Sequence, residues 1–346
     1  FNMHMADALL SPAVGATMWA GSAAAIGYSS KKLKENLDNK TIPLMGIMGA
    51  FIFAAQMINF TIPGTGSSGH IGGGMILAVL LGPYAAFLAI ASVLVVQALF
   101  FADGGLLALG CNIWNLGIYP CFIAYPLIYK PIAGDSTNTR RIFIAAIVSV
   151  IIALQLGAFS VVLETLLSGK SELPFGTFVL LMQPIHLAIG LIEGMITAGI
   201  ILYVKQARPE ILEASITARP LDAGLSIKNV LIGFVMLAVM TGGALSWFAS
   251  THPDGLEWSI EKVTGKGELE EQGSGIAAAL RNVQDKTAFL PDYGFKPAAV
   301  EQATEEAPPA WPGIEPGTSV AGIVGAAIVL MFIIFIGFGI RIFKKQ

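Results

Sequence analysis

Four histidines occur in the chain, His4, His70, His186 and His252, and a transition-metal site is the first chemistry to test against them. His4 lies in Met3-His4-Met5-Ala6-Asp7, just before the first apolar segment. His70 lies in the Gly/Ser run Pro63-Gly64-Thr65-Gly66-Ser67-Ser68-Gly69-His70-Ile71-Gly72-Gly73-Gly74. A histidine close behind a free amine can chelate through that amine, the intervening backbone nitrogen and its own imidazole, and a distant imidazole then completes the nitrogen set. Square-planar nitrogen donation favours nickel(II) or copper(II), whereas zinc prefers a tetrahedron and magnesium or calcium prefers oxygen. Taken alone, a terminal histidine and a loop histidine are more often solvated or capping groups than ligands. The same ordinary reading applies to His252, in Ser250-Thr251-His252-Pro253-Asp254-Gly255-Leu256-Glu257.

His186 and Glu193 share the apolar segment 177–204 and one helix face. An ionisable Glu at membrane depth is costly and by default functional. The competing reading is that the pair satisfies polar groups of neighbouring spans, such as Gln155, Asn112 or Asn115. Asn59 and Ser68 flank this chemistry in sequence and join His186 and Glu193 as candidates to support the metal ligands or to couple them to the helices. Met18, Met45, Met48 and Met57 are spread over several spans, which suits packing better than a soft-metal path. Gly169-Lys170-Ser171 has Glu164 where a phosphate-binding loop needs glycine, so no ATP site is visible, and no His-Glu-x-x-His run occurs.

The elements that must position these residues are membrane helices. Hydrophobic residues make up 55% of the chain, charged residues 12%, and the mean hydropathy is +0.72, which sets soluble enzyme folds aside. A net charge of −3 with no basic block leaves nucleic acid an unsuitable partner. Cys111 and Cys121 both fall in an apolar segment and read as buried thiols. The beginning lacks the features of a cleaved secretory signal, so the first hydrophobic segment is expected to be retained.

Apolar segments run at 10–29, 42–61, 107–129, 142–166, 177–204, 229–249 and 320–340, and a longer stretch, 75–101, is broken at Leu81-Gly82-Pro83. Proline ends or kinks a helix there. The positive-inside rule decides whether that stretch is one element or two. With two, and the N-terminus outside, Lys31, Lys32, Lys34 and Lys40, then Lys130, Arg140 and Arg141, then Lys205, Arg208, Arg219 and Lys228, and finally Arg341, Lys344 and Lys345 all face the cytoplasm. The expectation is an all-α integral membrane protein of about nine spans, N-out and C-in. Residues 1–207 form a seven-span bundle, 208–228 a cytoplasmic linker, and 229–346 a two-span hairpin with a long extracytoplasmic loop at 250–319. That loop is acidic, ends in Glu305-Glu306-Ala307-Pro308-Pro309, and need not be a rigid domain. No internal repeat of the kind found in inverted-repeat transporters is apparent.

Several spaced motifs carry a family resemblance. Met3-His4-Met5-Ala6-Asp7-Ala8-Leu9-Leu10-Ser11-Pro12, the Gly64-to-Gly74 loop with His70, Phe100-Phe101-Ala102-Asp103-Gly104-Gly105, and His186-Leu187-x-x-Gly190-Leu191-x-Glu193-Gly194 together resemble the substrate-binding membrane component of nickel/cobalt energy-coupling factor transporters, over about 1–215. Pro253-Asp254-Gly255-Leu256-Glu257 followed by a final span resembles the small two-span accessory component of the nickel systems. The chain thus looks like a fusion of the two.

The resemblance implies a seven-helix binding unit that holds nickel(II), or cobalt(II), as transported substrate through Met3, His4 and His70, with no organic cofactor. It implies a transmembrane coupling component and two cytoplasmic ATPases as partners, in a prokaryotic cell membrane. It also implies close packing of small residues of the first helix on the coupling component, for which Ala16, Ala20 and Ala24 are suitably spaced, although packing within the bundle is an equally ordinary use of them. The family begins at the Met of Met-His, whereas Phe1 and Asn2 precede it here. A form beginning at Met3 is expected to bind nickel more tightly than one beginning at Phe1. The alternative from another class is a self-contained metal channel or secondary transporter.

Overall fold

The computed structural model describes residues 4–37, 40–134, 138–170, 172–217, 219, 221–222, 224–267, 269, 275–295 and 312–344. Each apolar segment is built mainly on a helix. α1 is Pro12–Asn36, α2 Thr41–Gln56, α3 Gly74–Leu81 and α4 Pro83–Phe101. α5 begins at Leu109–Ile113 and continues unbroken through the wide turns of Trp114–Tyr129 to Lys130–Ala133. Pro120 and Pro126, which lack the N–H of a regular turn, lie within those wide turns. α6 is Thr139–Leu167, α7 Phe175–Ala207, α8 Pro209–Thr217 and α9 Lys228–Gly243. α10 is Gly255–Thr264, α11 Ile276–Thr287 and α12 Pro316–Lys344. Pro83–Phe101, Thr139–Leu167, Phe175–Ala207 and Pro316–Ile342 are each long and apolar enough to cross a bilayer by themselves.

The expected break at Gly82-Pro83 is real. Gly82 takes a φ of 78°, and Pro83 starts α4 at the position where a missing N–H does no harm. α3, however, is no full span. Its eight residues rise only about 12 Å, and a non-helical segment precedes it. That segment, with the two-stranded pairing of β1 (Phe60–Ile62) and β2 (Ser67–Gly69), is buried at Ser67, Ser68 and Ile71. Irregular backbone inside a membrane protein is tolerated in such a protein-enclosed place.

The linker and the polar loop both carry more structure than their composition suggests. Within 208–228, α8 buries Ile211 and Leu212, and Ser215 accepts a hydrogen bond at its carbonyl from Tyr125 Oη at 3.1 Å. Within 250–319, Asp254 caps α10 by accepting from Leu256 N at 2.9 Å and Glu257 N at 2.8 Å. The run Glu305 to Pro309 lies outside the described residues. Glycines bring helices close: a Cβ on Gly49 of α2 would come within 2.3 Å of Ile333 of α12, and α9 and α12 meet each other where a Cβ on Gly322 would come within 2.6 Å of the Gly242 Cα. Such small-residue contacts let helix backbones approach without a solvent-driven hydrophobic force.

The basic segments collect at one end of the bundle. Lys40 Nζ donates to Leu225 O at 2.6 Å and to the Asp222 carbonyl, and Lys205 Nζ reaches Thr139 Oγ1 at 3.5 Å. The opposite end joins α4 to the polar loop, where Gln284 Nε2 donates to Ala98 O at 2.9 Å and Gly104 O at 2.7 Å. Since Lys and Arg mark the cytoplasmic side, a cysteine introduced at the exposed Val283 of α11 is expected to react with an impermeant thiol reagent in intact cells. Labelling only after lysis would reverse the orientation.

Candidate metal centre

The segment before α1 is clamped into the bundle by its backbone. Met5 N donates to Asn112 Oδ1 at 3.1 Å, and Met5 O accepts from Asn112 Nδ2 at 3.2 Å and from Gly105 N at 3.1 Å. Asp7 Oδ1 accepts from Ala108 N at 2.8 Å. Asn112 thus serves the backbone of the His4 segment. The glycines of Asp103-Gly104-Gly105 permit this approach: Gly104 has a φ of 77°, and a Cβ there would lie 2.8 Å from the His4 Cβ. The result is that His4 is only 5% exposed.

The His70 loop is held from three sides. Ser68 donates from its N to Pro253 O and from its Oγ to His252 O, both at 2.8 Å. Gly72 O accepts from Gln56 Nε2 at 2.9 Å, and Gln56 Oε1 in turn accepts from Gln97 Nε2 at 2.9 Å. Glu193 reaches over from α7 and accepts from Gly72 N and Gly73 N, each at 2.9 Å. A carboxylate on the N–H groups just ahead of α3 faces the positive end of that helix, and charge-assisted bonds of this kind are the stronger ones. The glycine run is steric as well: a Cβ on Gly69 would meet Ile189 at 2.4 Å, and one on Gly74 would meet the Leu116 carbonyl at 2.6 Å.

These clamps bring the His4 and His70 rings together, with centroids 5.6 Å apart and planes tilted by 55°. Two imidazoles that each give one nitrogen to a shared ion at about 2.0–2.1 Å have centroids roughly 4.5 to 6.3 Å apart, from cis to trans. The observed spacing falls inside that interval. Both rings line a cavity of about 100 Å³ that is also bordered by His186, Asn115 and Asp254. His4 Nε2 is buried and has no partner among the described residues. His70 Nδ1 lies 3.1 Å from Ile71 O, which suits a donor there.

His4 Nδ1 sits 3.0 Å from Asp103 Oδ2. The contact falls outside hydrogen-bond geometry. Asp103 is buried, which works against its charged form. The adjacent His4, together with the hydroxyl of Tyr293, outweighs that and holds its carboxyl below the ordinary range. Tyr293 Oη donates to Asp103 Oδ2 at 2.5 Å. Burial, with Asp103 beside it, pushes the Tyr293 phenol well above its usual value, so it stays a donor. Asp292 and Tyr293 have φ values of 50° and 58°, a region that non-glycine residues seldom occupy, and this turn is what aims the phenol. A carboxylate behind one ring nitrogen, with the other nitrogen free to bind, is the arrangement that orients metal-binding histidines. Asp103→Asn is therefore expected to weaken nickel binding about 10- to 100-fold in calorimetric titration. Unchanged affinity would remove Asp103 from the site.

Of the residues singled out by sequence, His4, His70 and His186 meet at the cavity, and Glu193 supports its floor. His186 Nδ1 lies 2.8 Å from Met182 O in its own helix. Gln155 pairs with Gln183, Asn112 with Met5, and Asn115 with Glu164, so none of these hydrogen bonds involves His186 or Glu193. Ser68 serves the loop's attachment to 252–253, and Asn59 gives its carbonyl to Ser250 N at 2.7 Å; neither lines the cavity. His252 is exposed. Met3 lies outside the described residues. Cys111 and Cys121 are buried free thiols. Among the described residues no three His, Cys, Asp or Glu side chains converge on one point as a ready metal cage, so a site on His4 and His70 must take further donors from elsewhere. Sequence reasoning passed over Asp103, Tyr293 and Asp254. Only an acid in the apolar-glycine run Phe100 to Gly105 and the acid of Pro253-Asp254-Gly255 could have signalled two of them.

A buried and a half-buried imidazole, each held by backbone clamps within an apolar helix bundle, make this a candidate cation site in a membrane protein. The chain belongs to the family described as the cobalt uptake substrate-specific transmembrane region, whose model matches residues 4–211. Residues 228–342 match the PDGLE domain, so one chain combines the two. A putative fused nickel transport protein of Archaeoglobus fulgidus is 34% identical over 95% of this chain and 96% of its own length. A fused nickel transport protein of Rhodobacter capsulatus is 30% identical, covering 87% of this chain and 90% of its own. A crystal structure of a transition metal transporter is 32% identical with a TM-score of 0.53, over 61% of this chain and 96% of the other. The chain is a multi-pass membrane protein.

Proposed function

We propose that the chain captures nickel(II), or cobalt(II), at the outer membrane face and delivers it inward as the substrate-specificity component of an ATP-driven energy-coupling factor transporter. The observation that carries this reading is the 5.6 Å pairing of the His4 and His70 rings over a small cavity, with the buried Nε2 of His4 unpartnered. A buried polar atom without a partner costs about 1–3 kcal/mol, and a bound cation removes that penalty. Nitrogen donors select a first-row transition metal over magnesium and calcium.

Met3 is the proposed source of additional nitrogen donors, through a terminal amine when it begins the chain. Fused-ring chelation by such a terminus uses the ring nitrogen nearer the backbone, which faces Asp103 here. Either the ring turns on loading or Nε2 is the ligand with Asp103 behind it. Asn59 and Ser68 act through the loop and its attachment rather than on the ion. His186 walls the cavity.

Delivery needs partners, because Gly169-Lys170-Ser171 is no nucleotide loop and the chain carries no other candidate for one. Ala16, Ala20 and Ala24 are all exposed on α1, whereas Gly21, on another face, meets Trp114. This supports the alanine stripe as the contact for a transmembrane coupling component, which two cytoplasmic ATPases drive. The units are residues 1–207 for binding and 229–346 as accessory, with 208–228 between them on the cytoplasmic side. Titration of the purified chain tests the substrate: nickel or cobalt is expected to saturate near one ion per chain, with no heat from magnesium or calcium. Equal binding of calcium would contradict it.

A further inference from the structure

A second cavity, of about 290 Å³, opens among the ends of α1, α2, α4, α5 and α8 that carry the basic segments, far in sequence from the metal ligands. Lys32 of α1, Lys130 of α5 and Arg219 just after α8 reach it, and among the described residues no Asp or Glu lines it. Lys32 shares an exposed pair with Glu35 at 3.0 Å, while Lys130 sits 5.8 Å over the Tyr125 ring. The rest of its wall is largely apolar, including Leu33, Leu80 and Ile211, which are buried in the bundle. At its edge the half-exposed Tyr28 packs edge-on against Tyr84, with ring centroids 5.8 Å apart. Tyrosines of this kind mark the level of the lipid headgroups.

We infer that this cavity binds the phosphate-bearing headgroup of an anionic membrane lipid. Cations at the cytoplasmic end suit the phosphate diester, and basic pockets between spans on that side hold anionic headgroups. The apolar wall suits the glycerol and the first methylenes of the chains, which a free phosphate could not use. The volume accommodates a headgroup and leaves the acyl chains to run outward past Tyr28 along the lipid-facing side. The same residues tie α8 to the bundle, since Tyr125 Oη donates to Ser215 beside the cavity. A lipid seated here therefore braces the connection between the two halves of the chain.

The test uses the full chain, delipidated in detergent and titrated with short-chain phosphatidylglycerol, with phosphatidylcholine of the same chain length, and with inorganic phosphate. Phosphatidylglycerol is expected to bind about one per chain and to raise the melting temperature, with the other two far weaker. Lys130→Gln and Arg219→Gln should each weaken it about fivefold, from roughly 1 kcal/mol per cation at a lipid surface. Arg140→Gln, an exposed cation at the same end but outside the cavity, should not. All three proteins should bind nickel alike, which verifies their fold. Equal binding of phosphatidylcholine, binding of phosphate as tight as of the lipid, or an equal effect of Arg140→Gln would overturn the proposal. So would cavity variants that bind lipid normally but lose association with a coupling protein, because the cavity would then be a protein-docking surface.

Discussion

Nickel affinity is expected to drop by more than about 100-fold in His70→Ala, since even groups that only orient metal ligands are worth 10- to 100-fold. The substitution removes an imidazole from a loop whose shape is set by others. Ser68 remains tied to Pro253 and His252, and Gly72 and Gly73 remain tied to Gln56 and Glu193. None of those bonds uses the His70 ring, so the thermal transition should move little while binding collapses. Calorimetric titration with nickel, alongside a melting curve, separates the two effects. A folded variant with the wild-type affinity would leave His4 without its opposing ligand and would sink the site.

The other large effect is on transport. Vesicles containing this chain alone should accumulate no nickel above leakage, and adding the coupling component with its ATPases and internal ATP should switch uptake on. The reason lies in the fold. His4 and His70 are closed in by Asp103-Gly104-Gly105, by the 252–255 turn and by α7, and the ion must be carried or released by a movement that bound nickel does not itself drive. ATP-independent accumulation by the chain alone would favour a self-contained channel or secondary transporter.

Much of this was legible because membrane helices announce themselves by length and hydropathy, and because Gly82-Pro83 has only one comfortable structural use. The glycine run around His70 also declared an irregular buried segment. The support of the site was not legible. Tyr293 and Asp103 are 190 residues apart, and nothing local to either reports the other. Glu193 reads in sequence as a functional acid or as a partner of side chains such as Gln155, Asn112 or Asn115, yet its partners are backbone N–H groups, which any sequence supplies and no sequence marks. The polar loop at 250–319 looked unstructured by composition. Its helices form because Asp254 supplies a cap and because Gln284, Leu290 and Tyr293 find partners on α4 and the Asp103 loop.

The central claim is that one metal ion sits between His4 and His70. X-ray absorption at the nickel edge of the loaded chain tests it most directly, because multiple scattering counts imidazoles and the first shell separates nitrogen or oxygen from sulfur. Two imidazoles in a shell of nitrogen donors without sulfur are predicted, falling to one imidazole in His70→Ala. A shell with no more than one imidazole in the wild-type chain, or one built on water oxygens or sulfur, would contradict the account.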